Sequence, residues 1–199
     1  MTERGLSVNH STIFRWVQRY SPELDKRCRP HLKLTNDSWR VDETYVKVRG
    51  KWMYLYRAVD STGQTLDFLL NETRSTRAAK RFFRKALGRS NTTAPRVINV
   101  DKNPAYIGAV RDLKHENMLP DCCKRRPSQY MNNIVEQDHR FMKRLIRPGL
   151  GFGSYPTAWR TIQGYETMHM VRKGQIEELE KGDIQGQNQF ISQLFGLTA

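Results

Sequence analysis

Acidic residues are scarce in this chain. Twenty Asp and Glu stand against 34 Lys and Arg, which gives a formal net charge of +14 over 199 residues. Such an imbalance disfavours a basic partner and suits a polyanion, because phosphate contacts release counterions. Ribosomal and membrane-surface proteins share this balance, so charge selects a partner class and not a reaction. Cysteine is scarcer still, with Cys28, Cys122 and Cys123 only. An odd count with an adjacent pair argues against a disulfide framework and fits a reducing compartment. Cys28-x-x-His31 has no second ligand pair at zinc-site spacing, and the five histidines show no paired spacing of their own. No apolar run approaches the roughly 18 residues of a membrane span. The stretch Met1-Thr-Glu-Arg-Gly-Leu6 lacks an apolar signal core, so the expectation is a protein that stays in the cytoplasm. Gly149-Leu-Gly-Phe-Gly153 lacks a P-loop lysine and reads as a mobile loop, and no Ser or Cys sits in a nucleophile-elbow setting.

What is present is alternating β pattern followed by helical pattern. Residues 6 to 20 read as a helix capped by Asn9 or Ser11. Ile13, Phe14, Val17 and Tyr20 share one face, and Thr12, Arg15, Gln18 and Arg19 share the other. Such a helix is either an amphipathic surface element or a recognition helix for a DNA groove. Residues 21 to 37 carry turn formers and read as a linker. Trp39 to Val48, Trp52 to Asp60 and Thr65 to Asn71 read as three strands joined by short turns, an antiparallel meander. A helix capped by Thr73 or Ser75 and stopped at Gly88 follows, with Ala78, Ala79, Phe82, Phe83, Ala86 and Leu87 as its apolar stripe. Arg96 to Val100 reads as a short parallel strand. Asn103-Pro104 opens the next helix, and Met118 to Lys124 is the expected fifth strand.

A helix capped by Asn132 or Asn133 then runs to Pro148. Ile134, Phe141 and Leu145 lie on one side, and Glu136, Arg140, Lys143 and Arg147 on another. Ser154 opens a last core helix, with Ala158, Trp159, Ile162 and Tyr165 inward and Gly164 at a close helix contact. Residues 175 to 199 read as a polar tail. This order predicts an α/β fold, a mixed sheet with helices on both faces. A right-handed crossover would set the Val97 to Asp101 strand beside the first strand.

Three acids stand out by context: Asp42 in Trp39-Arg-Val-Asp-Glu-Thr-Tyr45, Asp101 ending Val97-Ile-Asn-Val-Asp101, and Glu136 in Asn132-Asn-Ile-Val-Glu136. The crossover makes Asp42 and Asp101 neighbours, and Glu136 on a helix can close over them. Carboxylates held close repel unless a cation intervenes, and hard cations such as Mg²⁺ take oxygen ligands. Two ions about 3.5–4 Å apart activate an attacking oxygen and stabilise a leaving one. An acid at a strand end is more often a cap or a solvated residue than a ligand. Asp60, Asp67, Asp112 and Asp138 are expected to be solvated in that way, and Glu43 is expected to face away from Asp42. Lys124-Arg125-Arg126, near Tyr130, reads as a basic turn with a DNA-backbone role as the competing assignment.

At these residues the chain resembles the DDE-class transposases of bacterial insertion sequences, in the branch called the insertion-sequence "six" family. The resemblance lies in Ser11-Thr-Ile-Phe-Arg-Trp-Val-Gln-Arg-Tyr20, Trp39 to Tyr45, Tyr54-Leu-Tyr-Arg-Ala-Val-Asp60, Asn132 to Glu136 and Lys143-Arg-Leu-Ile-Arg-Pro148. It extends to the 34 residues between Asp101 and Glu136. It implies an RNase H-like five-stranded catalytic core over 37–174, a partial helix-turn-helix with linker over 1–36, and a tail over 175–199. It implies Mg²⁺, two ions with Mn²⁺ as a substitute, held by the catalytic residues Asp42, Asp101 and Glu136. DNA contact is implied for Lys143. The further DNA-contact candidates are Arg140 and Arg147, Thr12, Arg15 and Arg19, and Lys124, Arg125 and Arg126. The implied reaction frees a 3′-hydroxyl at each element end and joins it to target DNA. The implied partners are terminal-repeat and target DNA and further copies of the chain, at least a dimer, in a nucleoid-associated bacterial setting. The family carries a longer N-terminal segment, so end recognition is expected to be altered here. The alternatives are a defective remnant or DNA-binding regulator, and an RNase H-like nuclease that hydrolyses without joining.

Overall fold

The computed structural model describes residues 7–127 and 133–197. Their contacts group into two compact units. One runs Leu32–Phe152; the other joins the residues up to His31 with those from Gly153 onward. This grouping differs from the 37–174 division: the helix opened by Ser154 makes its contacts with the first helix.

The larger unit is built on a five-stranded sheet. Its strands are β1 (Ser38–Val48), β2 (Lys51–Asp60), β3 (Thr65–Asn71), β4 (Val97–Val100) and β5 (Lys124–Pro127), in the order β3-β2-β1-β4-β5. The first three form the expected meander. Arg49 and Gly50 both take positive φ, 50° and 77°, the twist a two-residue hairpin turn requires and the reason glycine stands there. β4 pairs in parallel with β1, with Ser38 opposite Val97 and Arg40 opposite Asn99. β4 therefore lies beside β1, as expected.

Three helices belong to this unit: α2 (Thr76–Leu87), α3 (Pro104–His115) and α4 (Asn133–Ile146). Ser75 caps α2 and Asn103 caps α3, each accepting from a first-turn backbone N–H. Phe82 and Phe83 are fully buried; Phe82 stacks on Tyr56 and Phe83 packs against Tyr106. That places α2 on the sheet face that carries Tyr56. α4 covers the opposite face through Val135, His139 and Met142, buried at i, i+4 and i+7. The expected stripe of Ile134, Phe141 and Leu145 is only half-buried. The apolar pattern is off by one position because a buried histidine holds the middle of the true stripe. The caps assigned to Asn132 and Asn133 lie outside the described side chains, as does Tyr130.

Several expectations are corrected. The fifth strand begins at Lys124, not Met118. Residues 118–123 form turns tied to the end of α3, with Met118 N–H donating to Leu113 and Cys123 N–H to Pro120. Lys124-Arg-Arg126 is thus an edge strand and not a turn, and charge on an edge discourages pairing with another chain. Asp60 and Asp67 are fully buried, not solvated. Asp67 pairs with Lys85 and Arg89 at 3.0 and 2.7 Å. Asp138 meets the buried Arg57 at 3.2 Å. Asp60 caps the β2–β3 turn. One oxygen accepts from Thr62 N–H and Gln64 N–H, both at 2.9 Å, and the other from Asn36 N–H at 2.9 Å. Asp60→Ala would orphan those donors and is expected to lower stability by about 3 kcal/mol, read as an earlier urea midpoint at unchanged slope. An unchanged midpoint would mean the cap is dispensable.

In the smaller unit, α1 (His10–Cys28) is capped by Asn9 and continues through Pro22, well past the expected end at Tyr20. Ser21, Asp25 and Cys28 repeat at i, i+4 and i+7 on its buried side, so the reading of residues 21–28 as linker is corrected. α1 packs on α5 (Tyr155–Arg172). Asp25 accepts from Gln163 and Thr167 at 2.9 and 3.2 Å. A Cβ on Gly164 would come 2.9 Å from the Ser21 Cβ, which accounts for the glycine. The expected tail contains α6 (Ile184–Leu194), followed by Phe195, whose ring meets Tyr20 edge-on. Burial pushes the Cys28 thiol up to about 12, so it is a protonated, inert core side chain. No described helix is long and apolar enough to cross a membrane.

Candidate active site

The site arises where β4 stops pairing with β1. Arg40 is level with Asn99, so two residues further on Asp42 and Asp101 come level at the strand ends. Asp42 points toward α4, its Oδ2 3.6 Å from His139 Nδ1. Glu43, one residue on, turns toward the α2–α3 side. There Arg74 donates to it at 3.1 and 3.3 Å and Asn103 Nδ2 at 3.4 Å. The pleat thus separates the two side chains as expected. Yet one oxygen each from Asp42, Glu43 and Asp101 lies within 4.8 Å of the others, since no β4 backbone separates them at this edge. Glu43 was missed from sequence because period-2 alternation assumes a strand with neighbours on both sides. Its adjacency to Asp42 at a strand end was the available signal.

Glu136 sits in the first turn of α4 and is exposed. It is not among the oxygens within 4.8 Å, but its charge reaches Asp42. Burial pushes the Asp42 carboxyl up to about 7. The charges of Glu43, Asp101 and Glu136 push the same way, against an opposing backbone hydrogen bond from Glu43. His139 moves the other way, to about 3, through burial first and then the nearby Arg57 and Lys143. The imidazole is therefore neutral, and its approach to Asp42 is not an ion pair. On the other side Arg74 donates a very short hydrogen bond to Asp101, whose second oxygen accepts from Asn103 N–H at 2.9 Å. A guanidinium thus already bridges Asp101 and Glu43, as a counter-charge in the carboxylate cluster.

The basic candidates fall in three places. Arg140, Lys143 and Arg147 are exposed along α4 and its continuation, on the side that carries Glu136. Lys124 and Arg126 are exposed on edge strand β5, with Arg125 half-buried. Arg15 and Arg19 are exposed and Thr12 half-buried on α1, in the smaller unit. Arg74 and Arg57 were not singled out from sequence, where nothing distinguishes them among 34 basic residues.

A family model described as a DDE domain matches residues 36–175. The transposase for the insertion sequence-like element IS431mec of Staphylococcus aureus strain N315 is 37% identical over 183 residues, covering 90% of this chain and 78% of the relative. The Staphylococcus aureus transposase for insertion sequence element IS257 in transposon Tn4003 is 37% identical over 180 residues, covering 89% and 76%. Among solved structures, the HTLV-2 integrase catalytic core domain in complex with magnesium is similar at a TM-score of 0.51 and 16% identity, over 70% of this chain and 87% of that one. The BIV integrase catalytic core domain matches at 0.51 and 11%, over 80% and 98%. These two carry the fold alone, an RNase H-like core. With the family model covering most of the chain and relatives at this identity, the chain belongs to the insertion-sequence "six" family of DDE transposases, enzymes of the polynucleotidyl transferase class.

Proposed function

We propose that the chain cuts the ends of its insertion sequence with Mg²⁺, freeing a 3′-hydroxyl, and joins that hydroxyl to target DNA. The single observation carrying this reading is the convergence of Asp42 and Asp101 at the free edge of β1, with Glu136 within electrostatic reach. The residues present fit a hard divalent cation. Their donors are all carboxylate oxygens. Burial, with the neighbouring carboxylates adding to it, raises Asp42 to about 7, and a bound cation would offset both. Asp42, Asp101 and Glu136 would hold it, and Mn²⁺ would be accepted by the same oxygens. Such an ion, when bound, polarises the attacking hydroxyl and stabilises the leaving oxygen.

The chain's own residues do the rest. Asp42, in its deprotonated form, would offer one oxygen to the ion. Asp101 would offer another, and Arg74, which bridges Asp101 and Glu43, would stay on Glu43 as the counter-charge. His139, neutral and buried, fixes the Asp42 carboxylate from the α4 side. Lys143, Arg140 and Arg147 meet phosphates of the bound strand alongside the acids, and Lys124, Arg125 and Arg126 meet the backbone at the sheet edge. Thr12, Arg15 and Arg19 on α1 contribute DNA contacts from the smaller unit. The protein works on paired element ends as a homo-oligomer, at least a dimer.

The test is to incubate the purified chain with labelled element-end DNA and a target duplex, with and without Mg²⁺. The expected products are nicked ends and, later, joined strands, both requiring the cation. Nicking without joining would reduce the activity to a nuclease, and binding without either product would reduce it to a DNA-binding remnant.

A further inference from the structure

Beside the acids, and within the Leu32–Phe152 unit, the surface opens into a cleft of about 700 Å³, within the ~300–1,000 Å³ range of ligand-holding sites. It follows the free edge of β1 from Thr44 to Lys47. Trp52 and the loop at Leu150–Gly151 line it too, as do Met142, Lys143, Ile146 and Arg147 from the end of α4. Its walls are mostly apolar, its lining includes three cations, and among the described residues it contains no acidic side chain. Trp52 is 64% and Tyr45 52% exposed, a large apolar surface for the sheet face of a soluble core.

The strand register explains why the rings cluster. Lys47 is opposite Trp52 and Tyr45 is opposite Tyr54, so these four side chains share one face of the hairpin. Tyr45 meets Trp52 edge-on at 6.5 Å and lies tilted against Tyr54 at 5.2 Å, which stiffens the group, while Trp52 stays largely exposed. The loop is held against the strand: Phe152 N–H donates to Lys47 at 2.9 Å, and Phe152 accepts from Arg49 N–H at 2.8 Å. A Cβ at Gly151 would come 2.6 Å from the Lys47 carbonyl, so only glycine lets the loop close so tightly.

We propose that this cleft receives one unpaired nucleobase of the reacting DNA strand. The base stacks against Trp52 beside Tyr45, and its flanking phosphates lie against Lys47, Lys143 and Arg147. This rests on the functional reading above for the presence of DNA, and goes beyond it in assigning a base-binding site. Charge complementarity selects the occupant: aromatic rings with cations and no acids make a stacking platform for nucleic acid. Position sets the register. Lys143 follows Glu136 by seven residues of helix, about 10 Å at 1.5 Å each, and Tyr45 follows Asp42 by three residues of strand, again about 10 Å. At ~3.4 Å per stacked nucleotide, the captured base lies about three nucleotides from the reacting phosphate. The base comes either from a single-stranded end or by extrusion from a duplex.

The test places 2-aminopurine at successive positions near the reacting phosphate, in single-stranded and in duplex end DNA. Each is bound, without metal, to the full chain and to Trp52→Ala and Trp52→Phe. A change in emission relative to free DNA, confined to a position about three nucleotides away, lost in Trp52→Ala and kept in Trp52→Phe, is the expected result. A change in the duplex as well identifies extrusion; a change in the single strand alone identifies an open end. Affinity for the single strand should fall roughly 5- to 100-fold in Trp52→Ala and within about threefold of wild type in Trp52→Phe, with thermal melting of both variants unchanged because the ring is exposed. Equal affinity and equal probe signals in Trp52→Ala, with wild-type nicking still dependent on Mg²⁺, would overturn the base site and leave the functional reading standing. A wild-type dimer lost in Trp52→Ala at unchanged DNA affinity would also overturn it, making the cleft an interface between copies. Absence of Mg²⁺-dependent nicking by the wild type would strike the functional reading instead.

Discussion

Asp42→Asn, Asp101→Asn and Glu136→Gln are each expected to abolish nicking and joining, a loss on the order of 10³-fold or more, while binding of end DNA persists. The magnitude follows from the kind of group removed. A preorganised electrostatic contact at the reacting atoms is worth about 10²–10³-fold, and an amide that fails to hold the ion loses all such contacts at once. Binding is expected to persist because the proposed phosphate contacts are made by exposed cations, Lys143 and Arg147 among them, which these substitutions leave in place. Glu43→Gln is the informative companion. Its oxygens accept from Arg74 and Asn103, so Glu43 acts by positioning Arg74, and its amide is expected to nick within about tenfold of wild type while shifting the Mg²⁺ concentration needed, as for a group that orients the ligands without holding the ion. If Glu43→Gln were inactive and Glu136→Gln fully active, the third ligand would be Glu43 and the assignment of Glu136 would fail.

The second large effect concerns stability. The fold raises the Asp42 carboxyl from 3.8 to about 7, so the native state disfavours the charged form. Below about pH 4 both folded and unfolded chains hold the proton, and the residue has no net effect. Between about 4 and 7 the unfolded chain ionises first, and native stability drains away. Above about 7 the whole deficit is present. At about 1.36 kcal/mol per unit, its upper size is roughly 4 kcal/mol. Asp42→Asn should therefore stabilise the metal-free protein at pH 8 and leave it unchanged at pH 4, as read by urea unfolding. Saturating Mg²⁺ should close the gap at pH 8 by stabilising the wild type alone, since an ion that binds only the folded state adds to its stability. Equal stability of the two proteins at both pH values would mean that burial and the neighbouring carboxylates do not raise Asp42 in the folded chain.

Much of this geometry was legible in the sequence, for identifiable reasons. The meander shows as alternation in β1 to β3 with Gly50 at the first turn, and a right-handed crossover then leaves β4 one place to pair. Asp42 and Asp101 become neighbours by that rule, before any side chain is considered. What was illegible depended on burial by distant segments. Asp60 and Asp67 look solvated until the partners that hold them, Asn36, Lys85 and Arg89, are folded against them. Pro22 suggests a helix end, yet the buried series Ser21, Asp25 and Cys28 carries α1 through it by packing on α5. Lys124-Arg-Arg126 has no apolar alternation, because an edge strand paired on one side needs none. Glu43 required knowing where β4 stops.

The central claim is that Asp42, Asp101 and Glu136 jointly hold the ion that acts on DNA. Anomalous diffraction from crystals of the chain grown with Mn²⁺ and end DNA tests it most directly. The account predicts manganese peaks bounded by the carboxylates of Asp42 and Asp101, with Glu136 turned in to meet them and Arg74 withdrawn from Asp101. Manganese bound elsewhere, with Arg74 still bridging Asp101 and Glu43 while DNA lies in place, would contradict it.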